Sequence, residues 1–265
     1  MRPLILITND DGYASKGINT LVSVARSLGD VVVVAPEHNA SGLSHSFTAQ
    51  RPLRVREISS VEGLSIYACD GTPVDCVKLG QEYFCPRTPS LVLSGINHGS
   101  NSSINILYSG TMGAVLEASL LDIKAVGFSL VDYDDHVDFA PVIPYVDTII
   151  RKVLANPMPS QVCLNVNIPR NVDNIKGISL CRQSKAQWID CYRKCEDPRG
   201  IPYYWIDGEF VCDDNGEGTD QYALEHGYIS IVPTTTDFTA YSSLDKFDFF
   251  VNCELKIENG ISRNS

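Results

Sequence analysis

Short apolar runs alternate with stretches of helical spacing through most of the chain. Leu4 to Ile7 is an unbroken apolar run of strand length, and Ile18, Leu21, Val22, Val24, Ala25 and Leu28 then recur at helical spacing, with Gly29 read as the C-terminal cap. Val31 to Ala35 is apolar throughout, as in a parallel strand covered on both faces. Leu53 to Ile58 and Leu64 to Cys69 flank Val61-Glu62-Gly63 and predict a hairpin, and Thr72-Pro73 opens a helix to about Tyr83. Strands at Leu91–Ser94, Ala125–Leu130 and Val162–Ile168 alternate with helices over Gly110–Leu121 and Val142–Leu154. This alternation predicts an α/β fold with a largely parallel, doubly wound sheet. The character changes after about Leu180. Tyr203 to Val211 reads as strand, Asp207-Gly208 turn, strand, an arm projecting from the core, and Tyr228 to Val232 returns as a buried strand. The expected division is a core over residues 1–180, an arm over 181–227, and a return strand with tail over 228–265, frayed from Asn259 to Ser265.

Composition changes this picture little: 265 residues, 44% apolar and 20% charged, describe a globular chain. Charge changes it more. With 21 basic and 32 acidic residues the net is −11, which argues against specific nucleic-acid binding, since that needs a basic face. Nine acidic residues stand against three basic ones between Asp190 and Asp220, and this −6 reads as a solvated face, with a partner surface as the alternative. A substitution at Asp190 is accordingly expected to be silent. The 9 cysteines carry no repeated C-x-x-C, and Cys191 and Cys195 lack a histidine to complete a zinc set. Cys69, Cys76, Cys163 and Cys253 lie in or beside apolar runs and read as buried thiols. With neither a signal-peptide pattern nor a membrane-length apolar window, a cytoplasmic protein without a membrane partner is expected.

In an open α/β sheet, ligands bind beyond the carboxyl ends of the strands. Three of those ends here carry Thr8-Asn9-Asp10-Asp11-Gly12, Pro36-Glu37-His38-Asn39-Ala40-Ser41-Gly42, and Gly95-Ile96-Asn97-His98-Gly99-Ser100-Asn101. Adjacent carboxylates at Asp10 and Asp11 repel unless a cation lies beside them, and an all-oxygen set suits Mg²⁺ or Mn²⁺ better than Zn²⁺; an Asx turn closed by Gly12 is the plainer alternative. Ser41 and Asn97 supply neutral oxygens that leave charge on the metal for an anionic substrate. Ser109-Gly110-Thr111 opens a helix, either as an anion site or as an ordinary N-cap. Neither a P-loop nor a dinucleotide fingerprint is present. His98 is the best acid–base candidate of His38, His45 and His98, against the reading of an exposed loop histidine. The set points to phosphate chemistry, and to hydrolysis in particular.

Residues 8–12 (TNDDG), 35–42 (APEHNASG), 94–101 (SGINHGSN), 108–113 (YSGTMG), 218–220 (GTD) and 227–239 (GYISIVPTTTDFT) together resemble the SurE family, the survival-protein-E 5′/3′-nucleotidases, in order over about residues 1–250. The resemblance implies a metal-dependent phosphatase acting on nucleoside 5′- and 3′-monophosphates. It also implies a Rossmann-like three-layer core and a protruding C-terminal β-hairpin arm that forms a homodimer or homotetramer. Carried over by position, one divalent ion (Mg²⁺ or Mn²⁺) per subunit falls on Asp10, Asp11, Ser41 and Asn97. The substrate phosphate falls on Asn101, Ser109, Gly110 and Thr111, and the catalytic set is Asp10, Asp11, Asn101, Ser109 and Asp237. The chain departs from relatives at Ser102-Ser103-Ile104, where many have Leu-Gly, and at Tyr241, where some have histidine. The second departure bears on the role of Asp237. The rival readings are a non-catalytic metal- and nucleotide-binding regulatory protein and a glycosyltransferase-like enzyme holding a sugar-nucleotide pyrophosphate. Phosphate release from monophosphates separates the nucleotidase from both.

Overall fold

The structure, a computed structural model, describes residues 2–134 and 136–250; Cys253 and the tail Asn259–Ser265 lie outside the described residues. Six strands form a parallel core, in the order β4 (Leu64–Cys69), β2 (Asp30–Pro36), β1 (Leu4–Thr8), β5 (Leu91–His98), β6 (Ala125–Leu130) and β7 (Val162–Ile168). β3 (Val55–Val61) closes one edge antiparallel to β4, so the predicted hairpin is present. At the other edge β11 (Tyr228–Thr235) runs antiparallel to β7 and pairs in parallel with β8 (Gly177–Leu180), a four-residue strand too short to stand out in the pattern.

Successive side chains of a strand point to opposite faces, which is why β1 is apolar at every position from Leu4 to Ile7. Ile5 and Ile7 pack with Ile18 and Leu21 of α1 (Lys16–Leu28) and with Val146 and Ile150 of α4 (Ile143–Ala155). Leu4 and Leu6 face Val77 of α2 (Pro73–Leu79) and Met112 and Val115 of α3 (Gly110–Leu120). The result is three layers, helix–sheet–helix. Residues 110–119 are all buried, which accounts for the small side chains of α3.

Local chemistry explains most boundaries. Thr72 and Asp75 form a reciprocal capping box around Pro73. α2 stops at Leu79, short of the expected Tyr83, because the chain widens into a π-helical turn over Gly80–Phe84, closed by the Cys85 N–H on the Gly80 carbonyl at 2.8 Å. Gly29 is extended (φ −163°) rather than left-handed, so it does not act as the predicted kind of cap. It is small because a Cβ there would lie 2.4 Å from the Pro3 carbonyl oxygen.

The arm differs from expectation in one respect. Asp207-Gly208 is not its turn: β10 (Pro202–Cys212) passes straight through both residues and pairs antiparallel with β9 (Ala186–Glu196) over eleven residue pairs. The chain reverses instead at Asp197–Ile201, where the Asp197 carboxylate accepts the N–H groups of Arg199 and Ile201 at 2.8 and 2.9 Å and Gly200 takes φ +76°. Pairing along the whole ribbon overrides the local turn preference of Asp-Gly.

β1 hydrogen-bonds β2 on one side and β5 on the other. The chain therefore leaves β1 in one direction and resumes in the other, which opens a crevice beyond the carboxyl ends of β1 and β5.

Candidate active site

A cleft of about 330 Å³ occupies that crevice, lined among others by Asp10, Ser41, Asn97, Asn101 and Ser109. Each of the five comes from a segment that the sequence nominates. The loop bearing Ser41 is tied to the end of β1 by the Ala40 N–H on the Asp10 carbonyl at 2.7 Å, and the Asn39 side chain accepts the Ser41 N–H at 2.8 Å. The Asn97 side chain is anchored by its Nδ2 donating to the Gly99 carbonyl at 2.9 Å, and the residue lines the cleft.

Asp10 is 3% exposed and sits against the start of α3. Burial raises its pKa; the Thr111 hydroxyl, donating at 2.5 Å, and the backbone N–H groups of Asp10, Thr111 and Gly110 act the other way. Gly110 allows this approach, since a Cβ there would lie 2.8 Å from Asp10 Cβ. The helix N-terminus that the sequence offers as a phosphate cradle thus faces a carboxylate of the chain itself, and Gly110 and Thr111 stand behind Asp10 rather than on the cleft wall. Ser109 is the N-cap, accepting the Met112 N–H at 3.0 Å. That bond uses a lone pair, so its own proton remains to be donated into the cleft.

Asp11 is half-buried, and its pKa is pushed up to about 6 by burial and then by the Asp10 charge; the His98 backbone N–H and ring oppose this. Among the ion pairs of the described residues, none involves Asp10 or Asp11. Asn9 Oδ1 and Ser94 Oγ, at the same strand-end edge, are buried with no hydrogen-bond partner among the described residues. Two adjacent carboxylates without a counter-charge, with the Asn97 amide and the Ser41 hydroxyl, make an all-oxygen donor set that fits a hard divalent cation. It is a mixed set: no three His, Cys, Asp or Glu gather anywhere among the described residues.

Asn101 is held by a polar network that its own segment does not announce. Its N–H is accepted by Asn167 Oδ1 at 2.8 Å, its Nδ2 donates to Ser129 Oγ at 2.8 Å, and its carbonyl accepts Asn165 Nδ2 at 2.8 Å. These partners lie on β6 and β7 and are buried. Polar residues at alternate positions of the otherwise apolar run Val162–Ile168 are the signal that marks them. Asp220, fully buried, accepts the N–H groups of Ser103 at 2.7 Å, Ser184 at 2.9 Å and Gln221 at 2.9 Å, pinning the segment after Asn101 to the root of the hairpin. It opens α5 (Asp220–Glu225), a helix of six residues.

Asp11 adjoins Asp10 without lining the cleft, and Asp237 and His45 sit in a different cavity. Asp237 lines a separate cavity of about 760 Å³ on the other side of the α3 start, shared with the cleft only through Ser109. Its carboxylate accepts the Thr239 N–H at 2.9 Å and the Tyr241 hydroxyl, and the Thr239 side chain, then Tyr241 and the Thr239 N–H, hold its carboxyl below the usual range. His98 does line the cleft, its Nε2 2.7 Å from the Asp134 carbonyl. His45 lies with Asp237 and is paired to Glu117 at 3.0 Å.

Against known proteins, residues 5–190 match the family model described as Survival protein SurE. A 5′-nucleotidase SurE of Flavobacterium psychrophilum is 48% identical over 245 residues, covering 92% of this chain and 95% of that protein. One from Christiangramia forsetii is 49% identical over 243 residues, covering 91% and 94%. The crystal structure of the SurE protein from Aquifex aeolicus superposes with a TM-score of 0.81 at 40% identity, covering 94% of this chain and 99% of that one.

Proposed function

This chain belongs to the SurE family, and from that premise we propose that it is a nucleotidase, a divalent-metal-dependent phosphatase of nucleoside 5′- and 3′-monophosphates. The observation that carries the reading is the convergence of Asp10, Ser41, Asn97, Asn101 and Ser109, from four separate segments, on one strand-end cleft.

In this reading Asp10, Asp11, Ser41 and Asn97 hold one Mg²⁺ or Mn²⁺. When bound, the ion supplies charge neutralisation at a phosphate oxygen and a lowered pKa for an attacking water. The chain does the rest. The Ser109 hydroxyl, fixed by its capping bond, donates to a second phosphate oxygen, and Asn101, locked by Ser129, Asn165 and Asn167, presents its side chain to the same group. Gly110 and Thr111 contribute by anchoring Asp10, whose charge the α3 dipole and N–H groups stabilise. One of the two aspartates also serves as base or nucleophile. Asp237 acts from the adjoining cavity.

The hairpin of β9 and β10 is assigned to self-association, as a homodimer or homotetramer, because it exposes Tyr192, Tyr204, Trp205 and Ile206 far from any core. No helix among the described residues is long and apolar enough to cross a membrane, and a cytoplasmic location is part of the proposal. Phosphate release from a panel of nucleoside 5′- and 3′-monophosphates, with Mg²⁺ or Mn²⁺ and then with EDTA, tests it. Metal-dependent release is expected; nucleotide binding without release from folded, metal-loaded protein favours the regulatory reading instead.

A further inference from the structure

The polar cleft has an aromatic mouth. Tyr108, Tyr133 and Trp188 line it, and they are 56%, 69% and 42% exposed. Two of the three, Trp188 and Tyr133, are held in place by contacts of their own. The Trp188 indole N–H donates to Asn105 Oδ1 at 2.9 Å, and its ring meets Phe210 edge-on at 5.5 Å between centroids. Tyr133 accepts the Ser100 N–H at 3.2 Å and lies over Gly99. Tyr108 directly precedes Ser109.

Tyr108 and Trp188 also line a second cavity, of about 450 Å³, whose other walls are Asp190, Ile206, Asp207 and Gly208 of the hairpin. Gly208 pairs with Asp190 in the ribbon, and a Cβ there would reach to 3.6 Å from Trp188 Cε3, so the missing side chain leaves the flank of the indole open. Asp190 is exposed, as the charge pattern predicts, and it also lines this cavity. From the cleft to this cavity the lining passes from oxygen-bearing side chains, through Tyr108 and Trp188, which line both, to the carboxylates of Asp190 and Asp207. That sequence of chemistries matches a phosphate, an aromatic heterocycle and sugar hydroxyls.

Resting on the nucleotidase reading, we propose that the root of the hairpin forms the nucleoside subsite of the same active site. Trp188 and Tyr108 take the base between them, and Asp190 and Asp207 accept sugar hydroxyls. The hairpin then divides by position. Its root, around Trp188, Asp190, Gly208 and Phe210, serves the substrate; the outer part, with Tyr192, Tyr204 and Trp205, remains for a partner chain. Selectivity for nucleotides over simple phosphomonoesters arises at residues that touch no phosphate.

The test compares kcat/KM for AMP with kcat/KM for glycerol phosphate in full-length, metal-loaded protein. In Trp188→Ala the ratio falls by about 5- to 150-fold, the range that base–aromatic stacking gives, through KM for AMP, and Trp188→Phe restores most of it. Because the chain has 2 tryptophans, Trp205→Phe leaves Trp188 as the sole indole, and adenosine alone quenches its fluorescence saturably. An unchanged ratio in a folded Trp188→Ala protein, or no quench by adenosine, overturns the subsite. If the wild type releases phosphate from neither compound, the nucleotidase reading fails, and the adenosine quench still decides the subsite on its own.

Discussion

The strand-end cleft and the hairpin break the ordinary inside–outside rule in opposite senses. Under the cleft, polar groups are inside: Asn9, Asp10, Asn101, Ser129, Asn165 and Asn167 are buried between apolar strands. Along the hairpin, apolar groups are outside: Ile189, Tyr192, Tyr204, Trp205 and Ile206 are exposed on a two-stranded ribbon with no third layer. Each departure costs stability, and neither helps the fold close. Buried polarity fixes the direction of a few atoms, because each amide is held by its neighbours. Exposed apolar area fixes nothing until something lands on it. The first therefore suits chemistry, and the second suits recognition.

That contrast can be broken first at Asp10. Asp10→Asn keeps the volume but removes a charge facing both the proposed ion and the α3 start, and phosphate release is expected to fall at least about 100-fold. Circular dichroism should be unchanged, and EDTA treatment of the wild type should give a comparable loss. Near-normal turnover in the folded variant sinks the metal assignment. At the hairpin, replacing Trp205 and Ile206 together by serine is expected to lower the solution mass by a factor of two or more in light scattering, with the core circular dichroism retained. A more modest effect is expected at Asn167→Ala. It strands the buried Asn101 N–H and should cost about 1–3 kcal/mol in urea unfolding, together with a loss of turnover that the surface change Thr148→Ala does not produce. The smallest concerns Glu117, whose carboxyl is held below the usual range chiefly by the His45 hydrogen bond, against burial, and with help from Lys78. A depressed folded pKa adds stability above the unfolded value, and that stability is lost as pH falls from 4.5 through the lower folded value. The Tm gap between wild type and Glu117→Gln should accordingly narrow as the solution is acidified.

Much of this was legible in the chain, for reasons that also explain the misses. β6 and β7 lie where the largely apolar runs Ala125–Leu130 and Val162–Ile168 place them, and the polar positions inside those runs, Ser129, Asn165 and Asn167, are the ones that hold Asn101. The strand-end rule places Asp10, Ser41 and Asn97 at the carboxyl ends of parallel strands, and all three line the cleft. The hairpin turn was misread since Asp207-Gly208 has good local turn chemistry, whereas Asp197–Ile201 wins through the eleven pairings it permits, which no local window contains. β8 and α5 are too short to carry a period. Asn165 and Asn167 went unnamed because their partner, Asn101, is more than sixty positions away. Asp237 was carried over from a motif, and a motif gives order along the chain without saying which side of a helix a loop will cross.

The cleft draws its lining from residues as far apart as Asp10, Ser41, Asn97, Ser109 and Trp188. Such long-separation contacts are the slow ones in folding, since each must first close a large loop. No fragment of the sheet contains the site in advance of the others. During refolding, recovery of Mn²⁺ binding should therefore follow the slowest phase rather than the early return of helix and strand signal. The same feature makes the ion a reporter of sheet assembly: a chain that grips it has already brought the carboxyl ends of β1, β2 and β5 together.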